Sequence, residues 1–237
     1  MNATAHQTGR RWLLLHGTPL GPEVWAETAH ALGHDAVLTP DCRAVPEGDD
    51  PQRRLAHDLA ARFDGDLDVV GHSFGGQVAL EFALAVPERV RSLTILCSRD
   101  SPFPAFGAVA DAVASGTGVP TVEASLARWF SADELAGDAY IVELARSELR
   151  AASLIDWSRA LAAIAVYDSS AETPSLRMPV SIVAARHDAV STPDTMREMA
   201  GRIPGAQFSV HDDWFHMSPF VDARALARLL QGGRDRS

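Results

Sequence analysis

The sequence predicts one domain of the α/β class, with a mostly parallel sheet of about six strands, flanking helices and an inserted helical cap. Three observations support this prediction. The chain has 237 residues, 46% of them hydrophobic, which is enough for one sizeable core. Short apolar runs alternate with longer helical patterns, as in a sheet covered on both faces. The runs are almost continuously hydrophobic, which is typical of strands buried on both faces.

Each predicted strand is a short apolar run bounded by turn residues. In chain order, the strands are predicted over residues 12–15, 36–39, 67–70, 93–97, 180–184 and 207–210. Helices are predicted over residues 51–63, 75–86, 155–167 and 223–230. Pro51 suits a first helical turn, and Pro87 disfavours helix at the residue before it.

The stretch 103–168 departs from this alternation because it has helical patterns and no convincing strand. We interpret it as a cap inserted into a core made of residues 1–102 and 169–237. Ser131 and Glu134 have the spacing of a helix capping box. One predicted helix face carries four apolar side chains, which are Val122, Leu126, Trp129 and Phe130.

Composition limits the partners of the chain. The net charge is −10, from 21 basic and 31 acidic residues, and every basic residue is Arg. We expect no nucleic-acid partner, because no dense basic stripe is present. We expect no membrane segment, because no apolar run approaches the roughly 20 residues that a span needs. Cys42 and Cys97 cannot form a disulfide framework, Cys97 is predicted to be a buried free thiol, and a cytoplasmic location fits both. The oligomeric state is not predicted.

The clearest functional signal is Gly-His-Ser-Phe-Gly at residues 71–75, between a predicted strand and a predicted helix. A strand, a sharp turn and a helix form the context of a nucleophile elbow. There Ser73 takes a positive φ that raises its hydroxyl above the sheet edge, and Gly71 and Gly75 let strand and helix approach. We predict Ser73 as the nucleophile; the alternative is a chance match in a Gly-rich turn.

Such a nucleophile needs two backbone donors for the oxyanion that forms when it attacks. Phe74 follows the nucleophile and supplies one amide. Thr18 supplies the other, because it follows the first strand at a turn that Gly17 permits. The alternative is that Gly17 only ends the strand.

A neutral serine hydroxyl also needs an imidazole base, held in one tautomer by a carboxylate. We predict His216 as the base and Asp188 as the acid, because both follow predicted strands and ligands bind at that edge of a parallel sheet. Asp100 is the rival acid, since it too follows a strand. The rival bases are His72, His187 and His211.

No metal and no cofactor are predicted, because the nine His residues are scattered and neither a Cys-x-x-Cys pair nor a Gly-rich phosphate loop is present. Trp25, Trp129 and Phe130 are candidates to line a substrate pocket. An apolar helix face is more often core, so each of the three has a structural alternative.

Several of these motifs together resemble the α/β-hydrolase superfamily over nearly the whole chain. They are His-Gly-Thr-Pro at 16–19, Pro-Asp at 40–41, the elbow at 71–76, Asp188 followed by Thr192 and Pro193, and His216. A narrower likeness is to the 3-oxoadipate enol-lactonase group, through residues 126–130 and 162–168 of the predicted cap. Phe215 departs from the family, which usually has Gly there. The resemblance implies a small lactone or ester substrate under the cap.

We therefore expect a serine hydrolase that cleaves a small ester or lactone through an acyl-enzyme on Ser73. Fold alone leaves two other hypotheses open. One is a cofactor-free lyase or oxygenase that uses His216 as a base. The other is a ligand-binding receptor whose triad is slow.

Overall fold

The computed structural model of the protein describes residues 10–33 and 37–232. A central sheet contains six strands, which are β1 (Trp12–Leu15), β2 (Val37–Leu38), β3 (Leu67–His72), β4 (Val90–Leu96), β5 (Val180–Ala185) and β6 (Gln207–His211). Their order in the sheet is β2-β1-β3-β4-β5-β6, and every pairing is parallel. The prediction of about six strands is confirmed, and the sheet of the described residues is entirely parallel.

Strand boundaries differ from the prediction where neighbouring strands extend the pairing. Strand β4 begins at Val90, three residues before the predicted start, because Val90 pairs with Leu67 of β3. Strand β2 contains only two residues. Ala36, the first residue of its predicted range, lies outside the described residues.

Ten α-helices surround this sheet within the described ranges. They are α1 (Ala26–Leu32), α2 (Pro51–Arg62), α3 (Phe74–Ala85), α4 (Ala105–Ala114), α5 (Val122–Trp129), α6 (Ala132–Ala136), α7 (Tyr140–Ala151), α8 (Leu154–Val166), α9 (Pro193–Arg202) and α10 (Ala223–Gly232). The four helices predicted by range appear as α2, α3, α8 and α10, with ends that shift by at most two residues. Helix α2 begins at Pro51, as its proline predicts.

Both faces of the sheet are buried, because successive side chains of a strand point to opposite faces. Leu13 and Leu15 join one apolar cluster, while Trp12 and Leu14 join the other. None of these four side chains is more than 2% exposed. Leu226 and Leu230 of α10 pack in the second cluster.

Helices α4 to α8, here called the insertion, lie between β4 and β5 in the stretch predicted to be a cap. The capping box is present at the start of α6, where the Ser131 hydroxyl accepts from the Glu134 amide and the Glu134 carboxylate accepts from the Ser131 amide. Leu126 and Phe130 of the predicted apolar face are buried. The domain boundaries at 102 and 169 stay a prediction.

Two further expectations concern the whole chain. Cys42 and Cys97 are both free and buried, which confirms the prediction for Cys97. Over the residues that the structure describes, no helix has the length and apolar character needed to cross a membrane.

Candidate active site

Ser73 lies at the sharp turn between β3 and α3, with φ 54° and ψ −124°. Only two other described non-glycine residues have a positive φ, Asp50 and Cys97, so the conformation is held by its surroundings. The Ser73 amide donates to Leu96 O at 3.1 Å, and the Ser73 carbonyl accepts from Ser98 Oγ at 2.6 Å. The Ser73 side chain does not cap α3, which leaves its hydroxyl available for chemistry.

The glycines on either side of Ser73 allow a close approach of strand and helix. A Cβ at Gly71 would lie 2.3 Å from Gly75 O, and a Cβ at Gly75 would lie 2.4 Å from Leu15 O. No real side chain tolerates such contacts with backbone atoms. The elbow predicted from residues 71–75 therefore has the geometry that its glycines require.

His216 forms a hydrogen-bonded pair with the buried Asp188. Nδ1 of His216 donates to Asp188 Oδ2 at 2.7 Å, and the other oxygen of Asp188 accepts from the amides of Val190 and Ser191 at 2.8 and 3.0 Å. Burial raises the pKa of Asp188, but His216 and these hydrogen bonds outweigh it and hold the pKa below its ordinary value. The Asp188 carboxylate is therefore ionised near neutral pH and fixes the ring of His216.

His72 supports the loop that carries His216. Its Nε2 donates to the backbone carbonyl of His216 at 2.8 Å, and the two ring centroids lie 4.7 Å apart. Burial, and then the proximity of His216, lowers the pKa of His72 to about 3. His72 is consequently neutral near pH 7, with a role in positioning the loop.

The rival acid has different partners. Asp100 is fully buried, and its carboxylate accepts from Arg202 Nε at 3.0 Å and from Thr173 Oγ1 at 3.1 Å. A second guanidinium nitrogen of Arg202 completes a bidentate ion pair with Asp100. No hydrogen bond between Asp100 and any histidine occurs in the described part of the chain.

The other rival bases pack against aromatic rings. The ring centroid of His187 lies 4.7 Å from that of Phe215, and the centroid of His211 lies 3.7 Å from that of Trp214. Burial lowers the pKa of His211. The described residues give neither histidine a side-chain bond to a carboxylate, in contrast to His216.

The two predicted oxyanion donors come from the elbow itself and from the turn after β1. Phe74 is the first residue of α3, where an amide has no acceptor within its helix and lies at the positive end of the helix dipole. Thr18 follows β1, and the neighbouring Gly17 is packed so closely that a Cβ there would lie 2.8 Å from Ser73 Cβ. Both residues are thus placed near the hydroxyl that would attack.

A small cavity adjoins His216. It is lined by Gly17, Thr18, Leu20, Val24, His72, Trp129, His216 and Met217. Of the three aromatic residues proposed to line a pocket, only Trp129 is in this wall. Trp25 and Phe130 are 0% and 1% exposed and belong to the apolar core, where Trp25 packs edge-on against Phe220 at 4.8 Å. Trp25 and Phe130 are therefore corrected from lining residues to core residues.

A second cavity, of about 260 Å³, also has Thr18 in its wall and was not predicted. Its wall contains Arg43 from the core, and Glu148, Asp156 and Trp157 from the insertion. Glu148 accepts from the Gly21 amide at 2.8 Å and lies 3.9 Å from Arg43. The sequence has no signal for such a site, because the charged residues in its wall are far apart in the chain and meet only through the packing of the insertion.

Comparison with known proteins places this geometry in a family. A family model described as "Alpha/beta hydrolase family" matches residues 12–229, nearly the whole chain. The chain belongs to the alpha/beta hydrolase family. The superfamily resemblance predicted from the motifs is thereby confirmed.

Individual known proteins are similar to this chain over most of their length. A pimeloyl-[acyl-carrier protein] methyl ester esterase from Aromatoleum aromaticum is 28% identical over 232 residues, which is 88% of this chain and 91% of that protein. The structure of a thermophilic esterase from Thermogutta terrifontis, with malate bound, is 27% identical with a TM-score of 0.81, over 96% of this chain and 89% of that one. An enol-lactonase from Burkholderia xenovorans LB400 superposes with a TM-score of 0.85 at 22% identity, over 94% and 91% of the two chains, and shows the shared fold.

Proposed function

We propose that this hydrolase cleaves small carboxylic esters or lactones through an acyl-enzyme on Ser73. The observation that carries the proposal is the strained elbow at Ser73 beside a histidine whose ring is fixed by a buried carboxylate. A nucleophile, a base and an orienting acid are what covalent acyl transfer needs. The two relatives named as esterases support an ester bond as the bond that breaks.

In the first half of the reaction, Ser73 Oγ attacks the carbonyl carbon and His216 Nε2 accepts the hydroxyl proton. The oxyanion of the tetrahedral intermediate accepts hydrogen bonds from the amides of Thr18 and Phe74. His216 then returns the proton to the leaving alkoxide, and the carbonyl carbon stays bonded to Ser73. Asp188 stays ionised and stabilises the imidazolium that forms meanwhile.

In the second half, water replaces the alkoxide. His216 removes a proton from water, the resulting hydroxide attacks the acyl carbon, and the ester bond to Ser73 breaks as the proton passes back to its oxygen. Among the described residues, the Ser73 hydroxyl has no hydrogen-bond partner, and we expect its bond to His216 to form when substrate binds, as is common in free enzymes.

The size of the substrate follows from the cavities at Thr18. Typical sites for drug-sized ligands occupy about 300–1,000 Å³, and the larger cavity here occupies about 260 Å³. The walls come from both the core and the insertion, which supports a small acyl or alcohol group held beneath a cap. The cavity that adjoins His216 occupies about 10 Å³, so a bound substrate would extend into the larger cavity, which accommodates a short-chain ester or a small lactone.

Labelling of the nucleophile tests the proposal. A fluorophosphonate should add its mass to Ser73 alone, and Ser73→Ala should abolish both labelling and the hydrolysis of short-chain esters. Ser115→Ala is a control serine substitution, because Ser115 is exposed at the end of α4, its hydroxyl bonds only within that segment, and the variant should leave labelling in place. A Ser73→Ala variant that keeps most of its activity would favour His216 acting directly on a carbon acid, and labelling without turnover of any ester would favour a receptor.

A further inference from the structure

Three potential metal ligands, distant in the sequence, meet beside the proposed base. His72 ends β3, Cys97 follows β4, and His216 follows β6. A ligand atom of each side chain lies within 4.8 Å of those of the other two. Sequence spacing does not reveal this cluster, because each ligand comes from a different segment of the chain.

Each imidazole in the cluster engages one ring nitrogen and keeps the other free. His72 Nε2 donates to the His216 carbonyl, and His216 Nδ1 donates to Asp188. Metal-binding histidines usually anchor the second ring N–H on a carbonyl or a carboxylate in this manner, which fixes the tautomer and aims the remaining lone pair. Within residues 10–33 and 37–232, His72 Nδ1 and His216 Nε2 have no hydrogen-bond partner.

Cys97 supplies the third ligand. It is 1% exposed, and burial raises the pKa of its thiol well above the ordinary value, so the free protein holds a protonated thiol. A bound divalent cation stabilises the thiolate, and the proton passes to solvent. His72, whose pKa burial lowers to about 3, already offers a neutral ring near pH 7.

We propose that Cys97, His72 and His216 bind a thiophilic divalent cation, Zn²⁺ or Cd²⁺, and that the bound ion inhibits the hydrolase. Tetrahedral zinc holds sulfur and nitrogen ligands about 3.4–3.6 Å apart, so the side chains must close by roughly 1 Å. All three side chains must share this movement, because the two ring nitrogens also have to approach each other. The inhibitory effect rests on the proposed function, because the ion occupies the His216 lone pair that accepts the Ser73 proton. The binding of the ion does not depend on the proposed function.

Cobalt(II) in place of zinc makes the binding visible without any assay of activity. Titration of the full-length protein with Co²⁺ should give a thiolate-to-cobalt charge-transfer band in the near ultraviolet. Cys97→Ser should remove the band, and Cys42→Ser, a matched change at the other buried cysteine, should retain it. His72→Gln should weaken Co²⁺ binding by on the order of 100-fold, since even loss of an outer partner costs 10–100-fold. Absence of the band, or its persistence in Cys97→Ser, would overturn the site.

Inhibition by zinc tests the consequence for turnover. Zn²⁺ should inhibit the hydrolysis of a short-chain ester, and a chelator should restore it. Cys97→Ser should raise the zinc concentration for half-inhibition by on the order of 100-fold, while Cys42→Ser should leave it unchanged. Equal inhibition of the wild type and Cys97→Ser would overturn the three-ligand site. A cobalt band in a protein that hydrolyses no ester would support the site and contradict the proposed function.

Thermal unfolding of the wild type keeps the proposal testable if Cys97→Ser does not fold. A cation that binds only the native state raises Tm in proportion to the logarithm of its excess over Kd. Zn²⁺ should therefore raise the Tm of the wild type and of Cys42→Ser, and should leave that of Cys97→Ala unchanged. The site is wrong if the wild-type Tm does not rise.

Discussion

The carboxyl ends of β4 and β5, which are adjacent strands, each lead to a buried aspartate. Asp100 follows β4 and is paired with Arg202 and Thr173. Asp188 follows β5 and is paired with His216 and two backbone amides. Both carboxylates are removed from solvent and both have every oxygen engaged, yet one joins two parts of the scaffold and the other orients an imidazole.

The two aspartates indicate that the partner of a buried carboxylate, and not its burial or strand position, determines what the carboxylate can do. A guanidinium is charged at every accessible pH and exchanges no proton, so the pair at Asp100 is a fixed structural link. An imidazole changes its charge near neutral pH, so the pair at Asp188 can assist proton transfer.

Asp188→Asn should reduce kcat for ester hydrolysis by on the order of 10³–10⁴, because the amide no longer holds the required tautomer of His216. An asparagine oxygen can still accept from the Val190 and Ser191 amides, so the loop should keep its shape. Asp212→Asn, the same change at an exposed ion pair with Arg186, should leave kcat unchanged. A loss of less than tenfold in Asp188→Asn would remove Asp188 from the proposed triad.

Asp100→Asn should instead lower the free energy of unfolding by about 3 kcal/mol, near the lower end for breaking a buried pair, since Arg202 is 29% exposed and reaches water. At temperatures below its unfolding transition, the Asp100→Asn variant should keep a kcat within about tenfold of the wild-type value. Asp194→Asn, at an exposed pair with Arg197, should cost less than about 1 kcal/mol. Urea unfolding and initial rates measure both quantities, and a large loss of kcat without loss of stability would reverse the assignment of the two aspartates.

The contrast also predicts how stability depends on pH. The pKa of Asp188 is lower in the folded protein than its unfolded value of about 3.9, so the native state binds fewer protons there. The stabilisation is present above that unfolded value and is lost as the pH falls through the folded one. In buffer with a chelator, the stability difference between wild type and Asp188→Asn should shrink as the pH falls below about 4. A difference that grows on acidification would contradict the direction of the shift.

The smallest effect concerns Trp129, which lines the cavity next to His216. Trp129→Ala should raise KM or change the preferred chain length of the ester, because it removes contacts with bound substrate. Its free energy of unfolding should change by less than about 1 kcal/mol, as expected for a partly exposed side chain. Phe130→Ala, at the adjacent core residue, should cost about 3–5 kcal/mol and leave selectivity unchanged. A similar stability loss in both variants would make Trp129 a core residue too.

The sheet was predictable because strands buried on both faces are hydrophobic without interruption, as in β1 and β3. The elbow was predictable as well, since close packing around Gly71 and Gly75 excludes other residues. Both features are determined by residues that are close together in the sequence, so a sequence pattern predicts them.

Features that depend on packing between distant segments were harder to predict from the sequence. Trp25 and Trp129 are the same residue type near the same site, and only packing shows that Trp25 is core. The choice between Asp100 and Asp188 stayed open for the same reason, because Arg202, the partner of Asp100, lies over a hundred residues away in the sequence. The cavity with Arg43 and Glu148 depends on the insertion meeting the core, for which the sequence has no local pattern.

One backbone contact bears on how members of this family could be recombined. The Met217 amide donates to the Trp129 carbonyl at 2.9 Å, so the residue after the proposed base is bonded to the end of α5 in the insertion. A chimera that exchanges only residues 105–166 would inherit a foreign main-chain acceptor opposite Met217. A chimera should therefore exchange two segments together, the insertion and residues 215–217. Exchanging both preserves the hydrogen bond that joins the insertion to the loop of His216.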